Sequence, residues 1–220
     1  MLPKQENYQL ARQMAVDGLG QSDLQERAAK SGGRYESDSE GEARIRLEYL
    51  GRELLISFPA GTIKATHGPG PIPLREEILV LHYLGKATGT APTGRWISFA
   101  EISGGAFYHP VFIQRCQFPL VRFFGSDPEG LKTVAERMPG GPLDFGDVGV
   151  KIQAFPFIPL ALILWRGDTE FPAEGNLLFD DSITECLPVE DIVILAETVV
   201  WRLIKNKNAD SPQRAQRTLS

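Results

Sequence analysis

ARIRLEYLGRELLISF, residues 43–58, alternates along nearly its whole length. Ile45, Leu47 and Tyr49 fall on one side and Arg44, Arg46 and Glu48 on the other, and Leu54, Ile56 and Phe58 repeat the pattern beyond Gly51-Arg52. Side chains two apart share one face of a strand, so this stretch predicts a half-buried β-hairpin. A hairpin with one apolar face needs a cover, and the flanking sequence supplies helices.

Downstream, Pro73 opens LREEILVLHYLGK, a helix with two acids in its first turn that is apolar almost all round from Ile78 to Leu84. Residues 148–154 alternate again, and residues 160–165 are continuously apolar, which predicts two neighbouring strands, the second central and buried on both faces. Residues 95–99 and 177–179 read as short strands. A helix is expected to start near Pro110 after a Gly104-Gly105 loop, and another at Asp127-Pro128, ending at Pro139-Gly140-Gly141. Pro188 opens the last helix, with Ile192, Leu195, Ala196, Val199 and Leu203 along its buried stripe. Upstream, Tyr8, Leu10, Ala11 and Met14 predict a helix face that Gly18 and Gly20 break. A second short helix follows from an N-cap at Ser22 to Gly32-Gly33. Residues 32–42 read as an exposed loop, and HGPGPIP (67–73) as an irregular linker. With no repeat and no long linker, the expectation is one α+β domain over residues 1–208, a mixed or antiparallel sheet covered by several helices. A flexible tail is expected over residues 209–220.

The chain has 220 residues, 42% hydrophobic and 23% charged, enough apolar mass for a sizeable core. Its net charge of −5 argues against a general nucleic-acid binder, which needs a basic face for phosphates. The two cysteines, Cys116 and Cys186, make neither a four-thiolate site nor a disulfide framework. The N-terminal residues lack the order of a signal peptide, and the longest apolar stretch (154–165) holds two prolines and is too short to span a bilayer. A cytoplasmic protein with no membrane partner is expected.

Two constellations carry chemistry. In the first, residues 95–110, Gly104 and Gly105 allow close backbone approach ahead of a helix start, Trp96, Phe99, Phe107 and Tyr108 offer rings, and His109 offers an imidazole. The competing reading is a tight turn between a strand and a helix. The second is an acidic tract without lysine or arginine: Asp168, Glu170, Glu174, Asp180, Asp181, Glu185, Glu190 and Asp191. Carboxylates at strand ends suit a hard cation or acid–base work, but the tract lacks EF-hand spacing, so a solvated rim without a tight metal site is expected. His82, among leucines, reads as a core histidine, and His67 as a linker residue facing solvent. No serine-nucleophile, zinc-protease or kinase signature is present.

Four blocks in order, PLREEILVLHYL (73–84), GRWISFAEISGGAFYHPVF (94–112), LILWRGDTEFPAEGNLLFDDSI (162–183) and LPVEDIVILAETVVWRL (187–203), resemble the family known as domain of unknown function 3786. The resemblance extends from about residue 8 to residue 205. Trp96, Phe99, Gly105, Trp165, Gly167, Asp168, Glu170, Phe171, Pro172 and Phe179 look like the family's recurring residues. The resemblance implies one domain, an anaerobic bacterial or archaeal setting and a loose association with corrinoid or redox metabolism. The cysteine-rich iron–sulfur segment of some members has no counterpart here.

The expectation is therefore a non-catalytic binding protein for a flat or apolar cofactor, such as a corrinoid or haem, held by Trp96, Phe99, Gly104, Gly105, Phe107, Tyr108 and His109. The alternatives are a metal-dependent enzyme using Asp168, Glu170 and Asp180, and an adaptor for a redox protein partner. The missing nucleophile–base signature favours binding over catalysis.

Overall fold

A computed structural model describes residues 5–37, 41–68 and 70–210. Its strands form two antiparallel sheets. The first is a meander of β1 (Arg34–Ser37), β2 (Ala43–Tyr49), β3 (Arg52–Phe58) and β4 (Thr62–Ala65). The hairpin is β2–β3, with Ile45 opposite Ile56 and Leu47 opposite Leu54, so the alternating apolar residues meet on one buried face. Leu50 and Gly51 turn it with φ of 48° and 76°, the left-handed pair that matches the twist of the strands. Leucine rarely adopts this conformation. Here its side chain is buried and its N–H donates to the Ala154 carbonyl at 2.9 Å, which ties the hairpin tip to the second sheet.

The second sheet contains β5 (Trp96–Ser98), β6 (Gly140–Leu143), β7 (Val148–Phe155), β8 (Ile158–Trp165) and β9 (Glu174–Asp180), in spatial order β5-β9-β8-β7-β6. β8 is central and buried from Ile158 to Leu164, as its unbroken apolar run requires. The helices are α1 (Gln5–Gly20), α2 (Leu24–Lys30), α3 (Leu74–Lys86), α4 (Gly105–Phe112), α5 (Phe118–Phe124), α6 (Pro128–Ala135) and α7 (Val189–Asp210). The predicted stripe of α7 is wholly buried. Tyr83 of α3 stacks on Phe155 of β7 with centroids 4.1 Å apart, and Phe155 also meets Tyr49 of β2 at 4.8 Å. Both sheets thus share one core in a single α+β domain.

Several details differ from the sequence expectations. The strands divide into two sheets instead of one. β1 occupies part of the expected loop, and β4 precedes the linker. α1 continues through Gly18 and Gly20, and its buried positions are Val16 and Leu19, whereas Leu10 and Met14 are 62% and 65% exposed. Asp23, not Ser22, caps α2, accepting from the Gln25 and Glu26 N–H groups, while the Ser22 hydroxyl donates to the Leu19 carbonyl at 2.7 Å. α4 begins at Gly105 and carries Pro110 inside it, and a π-helical turn, Ile113–Gln117, leads on to α5. Pro139-Gly140-Gly141 leads into β6. Ala209 and Asp210 still belong to α7, and the remainder of the expected tail, 211–220, lies outside the described residues.

Candidate functional site

The turn ahead of α4 owes its glycines to the backbone. Gly104 has φ of 79°, and a Cβ on Gly105 would sit 2.0 Å from the Phe99 carbonyl oxygen. Only glycine permits that approach. Phe99 is buried and stacks on Phe112 at 4.3 Å, so its ring face is taken up by the core. Trp96 is half-buried on β5 opposite Asp180. Phe107 is 84% exposed, the Tyr108 hydroxyl donates to Glu190 at 2.7 Å, and His109 is half-buried. The structure brings these residues into one neighbourhood, with some rings facing the core and others facing solvent.

The acidic tract is dispersed over separate tasks. Asp180 is buried and accepts from the Thr93 and Gly94 N–H groups at 3.0 and 2.7 Å and from the Ser182 hydroxyl at 2.6 Å. Burial alone would raise its pKa, but the hydrogen bonds from Ser182, Thr93 and Gly94 outweigh it and hold the carboxyl below its ordinary value. Asp181 pairs with Arg95 at 2.6 Å. Asp168 closes its own turn, accepting from the Glu170 and Phe171 N–H groups, which lowers its pKa. Among the described residues, no three His, Cys, Asp or Glu side chains form a group that could hold a metal ion. Both cysteines are buried; burial pushes the Cys186 thiol up to about 11 and Cys116 higher still, which makes neither a ready nucleophile.

A cleft between α1, α2 and α3 has a volume of about 440 Å³, within the range of small-molecule sites. Leu19, Leu81 and Pro188 give it an apolar lining, Arg27 and Lys86 add two cations, and His82 adds an imidazole. Its shape comes from two helical glycines. A Cβ on Gly18 would meet nothing within 4 Å, and one on Gly85 only Leu19 Cδ2 at 4.0 Å. Both lie in helices with ordinary negative φ, where glycine is less favourable than alanine, so neither the backbone nor packing demands them. Gly18 continues the exposed Leu10–Met14 row at a spacing of four, which extends the apolar surface towards the cleft. Arg27 closes the end of α3 by donating to the Gly85 and Ala87 carbonyls, and its buried Nε has no partner among the described residues.

His82 contributes the imidazole of the cleft. Its Nδ1 lies 2.6 Å from a carboxylate oxygen of Asp191, a buried residue in the first turn of α7. That bond raises the histidine pKa, against the opposing effect of partial burial. It also fixes the ring and leaves Nε2 to bind a proton, an acidic group or a metal centre. Ser22 and His82 line the cleft, with Asp191 bonded to the imidazole, but the Ser22 proton is donated to the Leu19 carbonyl instead of the imidazole, which is not the arrangement of an activated nucleophile. Sequence reasoning treated His82 as a core residue; Asp191, 109 residues away, is a partner no local pattern reveals. The available signal was glycine inside two helices.

An α+β domain with two antiparallel sheets and a helix-lined apolar cleft is the class that fold and geometry define. Residues 23–202 match the family described as a domain of unknown function (DUF3786), and the chain belongs to it. No curated protein and no solved structure matches the chain. Among the described residues, no helix is long and apolar enough to cross a membrane.

Proposed function

We propose that this is a binding protein, not an enzyme, and that it holds a flat, largely apolar small molecule in the α1–α3 cleft. The observation that carries this reading is the pair of helical glycines, Gly18 and Gly85, which keep apolar space open where alanine would fit. The Leu19, Leu81 and Pro188 surface suits a ring system, Arg27 and Lys86 suit an acidic substituent, and His82 Nε2 suits a polar or metal-centred one. A tetrapyrrole, haem or a corrinoid, is the finer version: an imidazole whose other nitrogen is bonded to a carboxylate is a good axial donor. The family resemblance adds the anaerobic setting and the loose association with corrinoid or redox metabolism, and the cysteine usage of the sequence adds a cytoplasmic location.

The test is an anaerobic absorbance titration with haem and with a cobalamin, repeated in His82→Ala and His109→Ala. The expected result is a ligation band lost in His82→Ala and retained in His109→Ala. The reverse pattern would return the site to the turn ahead of α4. No spectral change with either cofactor would remove the tetrapyrrole version.

A further inference from the structure

We infer that the outer face of the second sheet, at the end where β8 runs out beside β9, docks a basic segment of another protein, with Trp165 receiving an arginine side chain. The two faces of β8 differ. Leu160, Leu162 and Leu164 belong to the common core, whereas Ala161 and Ile163, on the opposite face, lie outside it. Leu178, paired with Ala161 across the β8–β9 ladder, is only half-buried. The solvated side of an antiparallel sheet is ordinarily polar, and this row is apolar. Trp165 continues it two residues beyond Ile163 and is 42% exposed. The turn before β7 lies against the same row, since a Cβ on Gly146 would come 2.6 Å from Ile163 Cγ2, and it carries the exposed Phe145. The loop that follows Trp165 holds out Phe171, which is 67% exposed. A contiguous apolar surface with a polar rim marks an interaction site.

Charge identifies the occupant. Trp165 stands opposite Glu174 in the β8–β9 register. On its other side the Asp147 N–H donates to the Leu164 carbonyl, which continues the β7–β8 ladder and sets Asp147 beside Trp165. Directly opposed residues in a sheet have Cβ atoms about 4.5–5.5 Å apart, so the indole is flanked by a carboxylate on each side. Arg166, the nearest cation in sequence, extends to Glu129 at 3.0 Å, and only its backbone N–H reaches Asp147, at 2.7 Å. Among the described residues neither Asp147 nor Glu174 has an ion-pair partner. A guanidinium answers this arrangement: its plane stacks on the indole while its in-plane donors reach the carboxylates. The apolar row running on through Ile163 to Ala161 and Leu178 calls for a polypeptide instead of a free cation, because an extended segment turns alternate side chains to one face. Lys151, paired with Ala161, confines the basic residues of the partner to the Trp165 end. None of these residues lines the α1–α3 cleft, so the two sites stand or fall separately.

The experiment is calorimetric titration of the full chain with three capped hexapeptides that alternate leucine with arginine, with lysine or with glutamate. Saturable one-to-one binding of the arginine peptide is expected, weaker binding of the lysine peptide and none of the glutamate peptide. Trp165→Leu keeps every charge and touches no core residue, and it should weaken the arginine peptide by about tenfold or more. The double variant Asp147→Asn with Glu174→Gln should weaken it by a similar factor at unchanged melting temperature, since asparagine still accepts from the Arg166 N–H. No binding of the arginine peptide would overturn the surface. Affinity lost in the double variant but unchanged in Trp165→Leu would reduce the effect to the attraction of a cation by a chain of net charge −5, and would overturn it as well. Binding that emerges only when residues 211–220 are removed would make the chain's own end the occupant and overturn the assignment to another protein.

Discussion

Replacing Gly18 and Gly85 by alanine should stabilise the protein. Both are helical, and an added Cβ meets nothing within 4 Å at the first and only Leu19 Cδ2 at 4.0 Å at the second, an ordinary contact. No steric penalty therefore offsets the gain in helix propensity, about 0.5–1 kcal/mol at each position. Gly18 and Gly85 lie near the ends of their helices, where the gain falls towards the lower figure. Together the two changes should add about 1 kcal/mol, which for a chain of this size raises the melting temperature by roughly 2–4 °C. The same space should accept a larger side chain, so Gly18→Leu should fold while filling the cleft, and it should abolish ligand binding there. Thermal and denaturant unfolding of the single and double alanine variants measures the first effect. A loss of about 1 kcal/mol or more in either single variant would show that the glycine serves packing, and the argument that the cleft is kept open for a ligand would fail.

Three further outcomes follow from the same geometry. Leu195→Ala, at a fully buried position of α7, should cost about 2–5 kcal/mol in urea unfolding, and a loss below about 1 kcal/mol would mean that α7 is peripheral to the core. Asp180→Ala should cost about 2–4 kcal/mol, because it strips the Thr93, Gly94 and Ser182 N–H groups of their acceptor; a near-neutral change would show that the carboxylate is free for another role. Hydrogen bonding to Asp191 raises the His82 pKa above its unfolded value near 6.5, so its contribution to stability is complete below about pH 6.5 and lost as pH rises through the folded value. The melting-temperature gap between wild type and Asp191→Asn should therefore narrow from about pH 6 to pH 9, and a gap that widens would reverse the linkage.

Much of the fold was legible because it rests on periodicity. The hairpin, α3 over its whole length, β7, β8 and the stripe of α7 are all elements whose apolar spacing alone decides what they bury. β1 was hidden because it is an edge strand exposed throughout, with nothing to alternate against. The division into two sheets was hidden because pairing partners are set by tertiary contacts such as the Leu50 N–H bond to Ala154. In α1, Leu10 and Met14 drew the eye as a face, yet the neighbouring row through Val16 and Leu19 packs, since hydrophobicity marks a face only when something covers it. The glycine pair at 104–105 looked like a ligand cradle because close backbone approach is what glycine provides, and here the approaching backbone is the protein's own Phe99 carbonyl. The His82–Asp191 pair joins two elements far apart in sequence, and no single-chain pattern announces it.

The most direct test of the cleft is a ¹⁵N–¹H correlation spectrum titrated with 1-anilinonaphthalene-8-sulfonate, a flat and largely apolar probe. Saturable shifts are expected at Gly18, Leu19, His82 and Gly85, and they should disappear in Gly18→Leu. Shifts concentrated instead at Gly104, Gly105 and Tyr108, or no saturable shift at all, would contradict the account.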